Sequence, residues 1–134
     1  MPRYMLDTDT CSYIMKRSNE RVMQRLQAMP VRDVCVSVVS KAELLYGVEI
    51  STRRERDEGA LRAFLKYVEV LPFPDEASPH YARLRADLKK RGMMIGSNDL
   101  LIAAHALSLG MTLVTNNTQE FKRVRDLVIE NWAT

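Results

Sequence analysis

With 134 residues, 46% of them hydrophobic and 28% charged, the chain has room for one domain with a real core and too little for two, and its composition excludes a disordered protein. Its net charge of +3 is modest, but Arg53, Arg54 and Arg56 form one basic cluster and Lys89, Lys90 and Arg91 another, an arrangement that permits nucleic-acid binding without demonstrating it. No apolar run approaches the roughly 20 residues that cross a bilayer, and the chain enters an apolar stretch too early to leave room for a signal peptide, so a cytoplasmic protein with no membrane partner is expected.

In chain order, Tyr4, Met5 and Leu6 are a short apolar run that stops on Asp7, followed by the helix-compatible residues 8–16. This reads as a buried strand whose carboxyl end delivers Asp7 to a crevice. Asp7, Thr8 or Asp9 is equally a favoured N-cap for the next helix. Residues 20–29 form a second helical stretch, with Val22, Leu26 and Met29 on one face and Pro30 as its stop. Residues 34–38 are β-branched and nearly all apolar, as in a strand covered on both faces. Ser40 opens a helix through Glu43, Leu44 and Tyr46 to about residue 51.

A helix over 54–67 places Leu61, Phe64, Leu65 and Val68 on one stripe, and 68–71 is a third strand stopped by Pro72 and Pro74. From 75 to 91 the positions Ala77, Tyr81, Leu84 and Leu88 recur at helical spacing, with Gly92 as a C-cap. Residues 97–109 form the most hydrophobic helix, closed by Gly110. Residues 111–115 and 127–129 supply a fourth and a fifth strand. Strands alternating with amphipathic helices imply βα units and a mainly parallel sheet covered on both sides. Cys11 and Cys35 belong to no CxxC pair and read as reduced core or near-core thiols.

Ligands bind such sheets at the carboxyl ends of the strands. Asp7 ends the first strand, Glu43 lies in the first turn of the helix after the second, and Asp99 starts the helix that leads to the fourth. Carboxylates gathered together repel unless a cation neutralises them, and the natural occupant is a hard divalent ion such as Mg²⁺ or Mn²⁺. Each acid also has a plain structural reading: Ser40 and Glu43 make a capping-box spacing, and Asp99 follows a candidate Ser97 N-cap where the helix dipole favours an anion. The coincidence of three favours a site. His80 and His105 stand in no motif and read as packing or surface residues.

The segments YMLDTDTC, SVVSKAELLYGVE, IGSNDLLIAAHALSLG and LVTNNTQEF, in this order, resemble the PIN-domain family, specifically the VapC-type toxin endoribonucleases of bacterial toxin–antitoxin pairs. The resemblance spans essentially the whole chain. It implies an α/β fold in which a five-stranded, mainly parallel sheet sits in a three-layer α/β/α sandwich. It also implies Mg²⁺-dependent cleavage of RNA, with tRNA cut by some relatives, inhibition by a small VapB-type antitoxin in a hetero-oligomer, and a homodimer. The family's acids map onto Asp7, Glu43 and Asp99. Where many PIN domains carry an Asp past the fourth strand, this chain has Asn116 and Asn117, with Glu120 one turn on, which favours one firmly bound ion over two. Asp7 and Asp99 are the first ligands, Glu43 binds through water or orients the nucleophile, and Thr115, Asn117 or Glu120 completes the surrounding shell. The two basic clusters would grip RNA phosphates around an acidic edge.

Two rivals remain at this level. Asp7 and Asp9 have the D-x-D spacing of haloacid dehalogenase-type phosphatases, but Thr10 and Cys11 follow in place of that class's Gly-Thr or Gly-Val, and Asn98 precedes Asp99 in place of an acidic pair. A catalytically weak module that binds RNA or antitoxin has no need for three carboxylates.

Overall fold

A computed structural model describes residues 1–134. Strands β1 (Tyr4–Leu6), β2 (Val34–Ser37), β3 (Glu69–Leu71), β4 (Thr112–Val114) and β5 (Ile129–Glu130) form one sheet in the order β3-β2-β1-β4-β5. Every neighbouring pair is parallel. Parallel neighbours need long crossovers, and helices supply them. Helices α1 (Thr8–Lys16) and α2 (Glu20–Gln27) lead to β2, α3 (Val38–Glu49) and α4 (Arg54–Tyr67) to β3, and α5 (Ala77–Arg91) and α6 (Ser97–Leu109) to β4. The short α7 (Thr118–Phe121) precedes β5.

The layers follow from the period of two along each strand. Leu6, Val34, Val36 and Val114 face one side, where they pack with Ile14, Val22, Leu26, Leu44, Val48, Leu61 and Phe64 of α1 to α4. Met5, Cys35 and Leu113 face the other side and meet Leu84 and Leu88 of α5 and Leu100, Ile102, Ala103 and Ala106 of α6. The result is a three-layer α/β/α sandwich. Met5 and Leu6 are fully buried on opposite faces, and burial of such side chains contributes roughly 1.5–3 kcal/mol each, so Leu6→Ala, which also leaves a cavity, would cost about 2–5 kcal/mol.

Near the C-terminus, Trp132 is buried against the edge of the Tyr4 ring at 5.5 Å and covered by the Arg25 guanidinium at 5.4 Å. Both cysteines are free and buried, as the apolar setting of Cys35 suggests.

The topology sets the site. The chain runs from β1 outward to β2 and β3, then crosses to the other side of β1 for β4. The crevice between β1 and β4 is therefore a switch point of the kind where open parallel sheets bind ligands. Asp7 N–H donates to Val114 O at 2.9 Å, which carries the ladder one residue beyond β1 and fixes Asp7 at the rim of that crevice.

Several boundaries differ from the sequence reading. Strand β2 ends at Ser37, whose hydroxyl accepts from Val39 N–H and caps α3, so that helix starts before Ser40. Ser40 is buried inside the helix, and Glu43 sits in its second turn, beyond reach of a capping box. The N-cap of α6 is Gly96, with Ser97 already helical. A 3-10 turn at Val31–Asp33 and the single-turn α7 have no distinct periodicity and went unread. Gly92 and Gly110 do close α5 and α6, both at φ +66, in the left-handed region that glycine enters without steric cost.

Candidate functional site

Asp7 is almost wholly buried and does two jobs at once. Its Oδ1 accepts from Thr10 N–H at 2.8 Å and caps α1, while the residue also lines a cleft of about 170 Å³. Asp7 thus caps α1 and faces the cleft together, because an N-cap at the end of a parallel strand is also at the mouth of the sheet. Burial pushes the Asp7 carboxyl above the ordinary carboxylate value of 3.8, an effect partly offset by hydrogen bonds from Thr115 and Thr10.

Glu43 reaches the same cleft from α3. Its Oε1 accepts from the Thr8 hydroxyl and its Oε2 from Asn98 Nδ2 at 3.2 Å. One carboxylate is therefore held by the helix after β1 and by the helix before β4. The start of α3 is anchored beneath it, where His105 Nδ1 lies 2.9 Å from Ser37 Oγ. His105 is fully buried with an edge contact to Phe73, which is the packing role expected of it.

Asp99 stands in the first turn of α6. The helix dipole there favours an anion by about 0.3–1 kcal/mol. Burial, a hydrogen bond shared with Glu120, and the charges of Glu120, Glu43 and Asp7 nevertheless raise its pKa from 3.8 to about 7. Glu120 is fixed by Gly96 N–H, which donates to its Oε1 at 2.9 Å, and by Asn117 Nδ2. A Cβ at Gly96 would stand 3.5 Å from Asp99 Oδ2 and 3.8 Å from Glu120 Oε1, at ordinary contact distance, so the backbone of Gly96 runs directly beside both acids.

Asp7, Thr8, Asp9, Glu43, Asp99, Asn117 and Phe121 line the cleft together. The three acids singled out from sequence converge, and Asn117 joins them. Asn116 turns away, donating to Tyr13 Oη at 3.2 Å and accepting from Asn131 at 3.1 Å. Thr115 lies buried under Asp7. Two residues that hold Glu43, Thr8 and Asn98, were missed as functional candidates. Their adjacency to Asp7 and Asp99 was the available signal.

The donor set is all oxygen and mostly carboxylate, which suits a hard divalent cation. As they stand, no three acids are gathered at coordinating range of one point, and Glu43 and Glu120 are each hydrogen-bonded to partners of their own. The cleft continues past Thr8 and Glu43 into a second cavity of about 160 Å³ that includes Met15, Lys16, Asp57 and Ala60. Met15 and Ala60 also border a larger, mainly apolar groove of about 460 Å³ between α1, α2 and α4, lined by Ile14, Met23, Leu26, Ala63, Phe64 and Tyr67.

The basic clusters divide. Arg54 pairs with Glu49 at 2.7 Å and Glu58 at 3.7 Å, Arg56 with Asp57 at 3.2 Å, and Arg91 with Asp87 at 2.6 Å. Arg53, Lys89 and Lys90 are exposed and make no ion pair. No helix is long and apolar enough to cross a membrane.

Residues 4–127 match the family model described as PIN domain. The chain is 39% identical over 130 residues to a protein named ribonuclease VapC2 from Rickettsia felis, covering 96% of this chain and 97% of that one. It is 37% identical over 133 residues to the tRNA(fMet)-specific endonuclease VapC of Salmonella typhimurium, covering 99% and 100%. The crystal structure of DNA-bound VapBC from Salmonella typhimurium superposes with a TM-score of 0.92 at 37% identity, covering 98% of this chain and 99% of that one.

Proposed function

The chain belongs to the PIN-domain family and, within it, to the VapC-type ribonucleases, and on that premise we propose that the cleft of Asp7, Glu43, Asp99 and Asn117 is its catalytic centre. The protein is an endoribonuclease toxin of a toxin–antitoxin pair. The observation that carries the site assignment is the convergence of three acids from three separate elements on one small cleft, with Asp99 pushed toward neutrality by burial and by its acidic neighbours. Family membership removes the phosphatase reading, and a module that only binds has no use for carboxylates so costly to bury together.

Asp7 and Asp99 would hold a Mg²⁺ or Mn²⁺ ion, with Asn117 offering a neutral oxygen and Glu120 a reserve carboxylate. The ion supplies charge neutralisation for the scissile phosphate and makes water a better nucleophile at neutral pH. Glu43, oriented by Thr8 and Asn98, aligns the attacking water and accepts its proton. Tight burial of Asp7 keeps its carboxylate from rotating, so the nucleophile and the phosphate meet in one geometry.

The substrate is a structured RNA, with tRNA as the leading class because a relative is named for it. The rim cations Arg53, Lys89 and Lys90 would meet its phosphates, and Arg54 and Arg56 sit in exposed pairs of small worth that phosphate can replace. A homodimer in the cytoplasm would present two such rims side by side. The VapB-type antitoxin has a continuous path on this surface, from the apolar groove through the Met15 and Ala60 junction to Glu43, which suits an amphipathic helix followed by a cationic tail.

The test is cleavage of total tRNA by the purified, antitoxin-free chain, with and without chelator, read by sequencing RNA ends. Discrete cuts restored by Mg²⁺ or Mn²⁺ are expected. Metal-independent cleavage, or full activity in Asp7→Asn, would overturn the assignment.

A further inference from the structure

Arg91 belongs by sequence to a basic cluster suited to RNA, yet the structure turns it inward. It is the last residue of α5 and only a quarter of its side chain is exposed. Its Nε and Nη2 donate to Asp87 Oδ2 at 3.0 and 2.6 Å, and Nη2 also donates to Arg123 O at 2.6 Å. The contact is returned: Arg123 Nη1 donates to Met94 O at 3.1 Å. Arg125 reaches the same Asp87 oxygen at 3.3 Å.

These bonds join two segments that need a fastening. Residues 92–96 are an irregular loop that delivers Asp99, and Met93 and Met94 are exposed, leaving Ile95 as the loop's one buried side chain. The facing segment, residues 120–123, begins with Glu120. Asp99 and Glu120 share a hydrogen bond while one of them holds a proton, but once both are ionised they repel and the force between their side chains drives the two segments apart. Against it act Gly96 N–H to Glu120 and the two guanidinium-to-carbonyl bonds, and charged donors make hydrogen bonds about twice as strong as neutral ones.

We infer that Arg91 and Arg123 form a clasp that sets the distance between Asp99 and the Asn117 and Glu120 side of the cleft, and that they are positioning residues with no phosphate to bind. The inference rests on the cleft being the metal-dependent centre proposed above. A clasp of this kind demands the planar fork of arginine, because one guanidinium must span a carboxylate and a carbonyl together. Lysine keeps the charge and loses the span.

The experiment compares Arg91→Ala, Arg91→Lys and Arg123→Ala with the wild-type chain, free of antitoxin. It measures Mn²⁺ affinity by calorimetry, kcat and KM on total tRNA, and the salt dependence of RNA binding. Each variant is expected to lose about tenfold in Mn²⁺ affinity and in kcat, as typical for partners that orient ligands, with KM and salt slope unchanged. Arg91→Lys should be as weak as Arg91→Ala. The double variant should lose less than the product of the single losses, since both residues act on one spacing. The clasp is overturned if Mn²⁺ affinity and kcat stay at wild-type values. It is equally overturned if Arg91→Lys restores them, or if the loss lies in KM with a salt slope lowered by about 0.7, the mark of one phosphate contact. Should Arg91→Ala not fold, Arg123→Ala, altered at an exposed side chain, carries the same expectations. Failure of the underlying site reading looks different: the wild-type chain would then bind no Mn²⁺, or Asp99→Asn would bind it undiminished.

Discussion

The cleft at the end of β1 and the groove between α1, α2 and α4 are two concavities of opposite character on one small chain. The cleft is small and built from carboxylates that the fold holds near one another against their repulsion. The groove is larger and lined mainly by apolar side chains of α1, α2 and α4. No Lys or Arg lines the first, and the second is an open apolar surface. The cavity between them joins the two, so one ligand long enough to satisfy the groove can also reach the cleft. On the proposed reading, inhibition and catalysis are neighbours on a continuous surface.

The strongest way to break this comparison is to remove charge from the cleft. Asp7→Asn or Asp99→Asn should lower RNA cleavage by more than about a hundredfold, exceeding the loss typical of an outer partner, and abolish growth inhibition. The melting temperature should hold or rise, because each change relieves repulsion. A stable variant with full activity would show that the acids merely cap their helices.

Placing charge in the groove is the converse. Ala63 is exposed on α4 and borders the groove, so Ala63→Glu should leave the fold and cleavage intact while weakening antitoxin binding by at least about tenfold, near 1.4 kcal/mol. Co-purification and calorimetry with the antitoxin read this. Replacing every Arg and Lys of the antitoxin's toxin-binding tail by Ala should restore cleavage while the complex persists. If inhibition were undiminished, the cationic block of the cleft would be wrong.

A smaller effect separates the RNA rim from both concavities. Lys89→Ala combined with Lys90→Ala should reduce the salt slope of RNA binding by about 1.4, two contacts at about 0.7 each, with Mn²⁺ affinity unchanged. Light scattering of the same samples tests the dimer, and monomer alone at working concentration would remove the paired rims from the proposal.

The smallest effect is on stability. Asp99 has its folded pKa raised to about 7 from 3.8, and Asp7 is raised as well, so the fold favours their protonated forms. Stability from such groups is fully present below the unfolded value and is lost as pH rises through the folded one. The metal-free protein should therefore melt several degrees higher near pH 5 than near pH 8. Saturating Mg²⁺ should narrow the gap, since the ion replaces the proton, and Asp99→Asn should flatten it. An unchanged gap in that variant would place the titrating group elsewhere.

How far the sequence leads is visible in particular residues. Asp7 was legible because an apolar run stopping on a carboxylate marks the end of a buried strand, whether the acid caps the next helix or faces the crevice. Gly92 and Gly110 were legible because few other residues close a helix so cheaply. Glu43 was found for partly mistaken reasons: its helix starts at Val38, so the capping-box alternative dissolved once Ser37 emerged as the cap. Ser97 failed in the same manner, since Gly96 caps α6 through backbone geometry that no side chain announces. The surroundings of Arg91 were the least legible. A run of cations reads as a solvated face, and nothing local says that its last member turns back to Asp87 and Arg123.

By itself the sequence determined the alternation of strand and helix, the two faces of the sheet and the acids worth suspecting. Those follow from periodicity and turn chemistry, which act over a few residues. Only the tertiary structure decided that Thr8 and Asn98 share Glu43, that Asn117 faces the cleft while Asn116 leaves it, and that the apolar groove runs on toward the acids. The meeting of Asn98 and Asn117 with Glu43 depends on the crossover from β3 to β4, and the groove on how α1, α2 and α4 pack, and no local pattern encodes either.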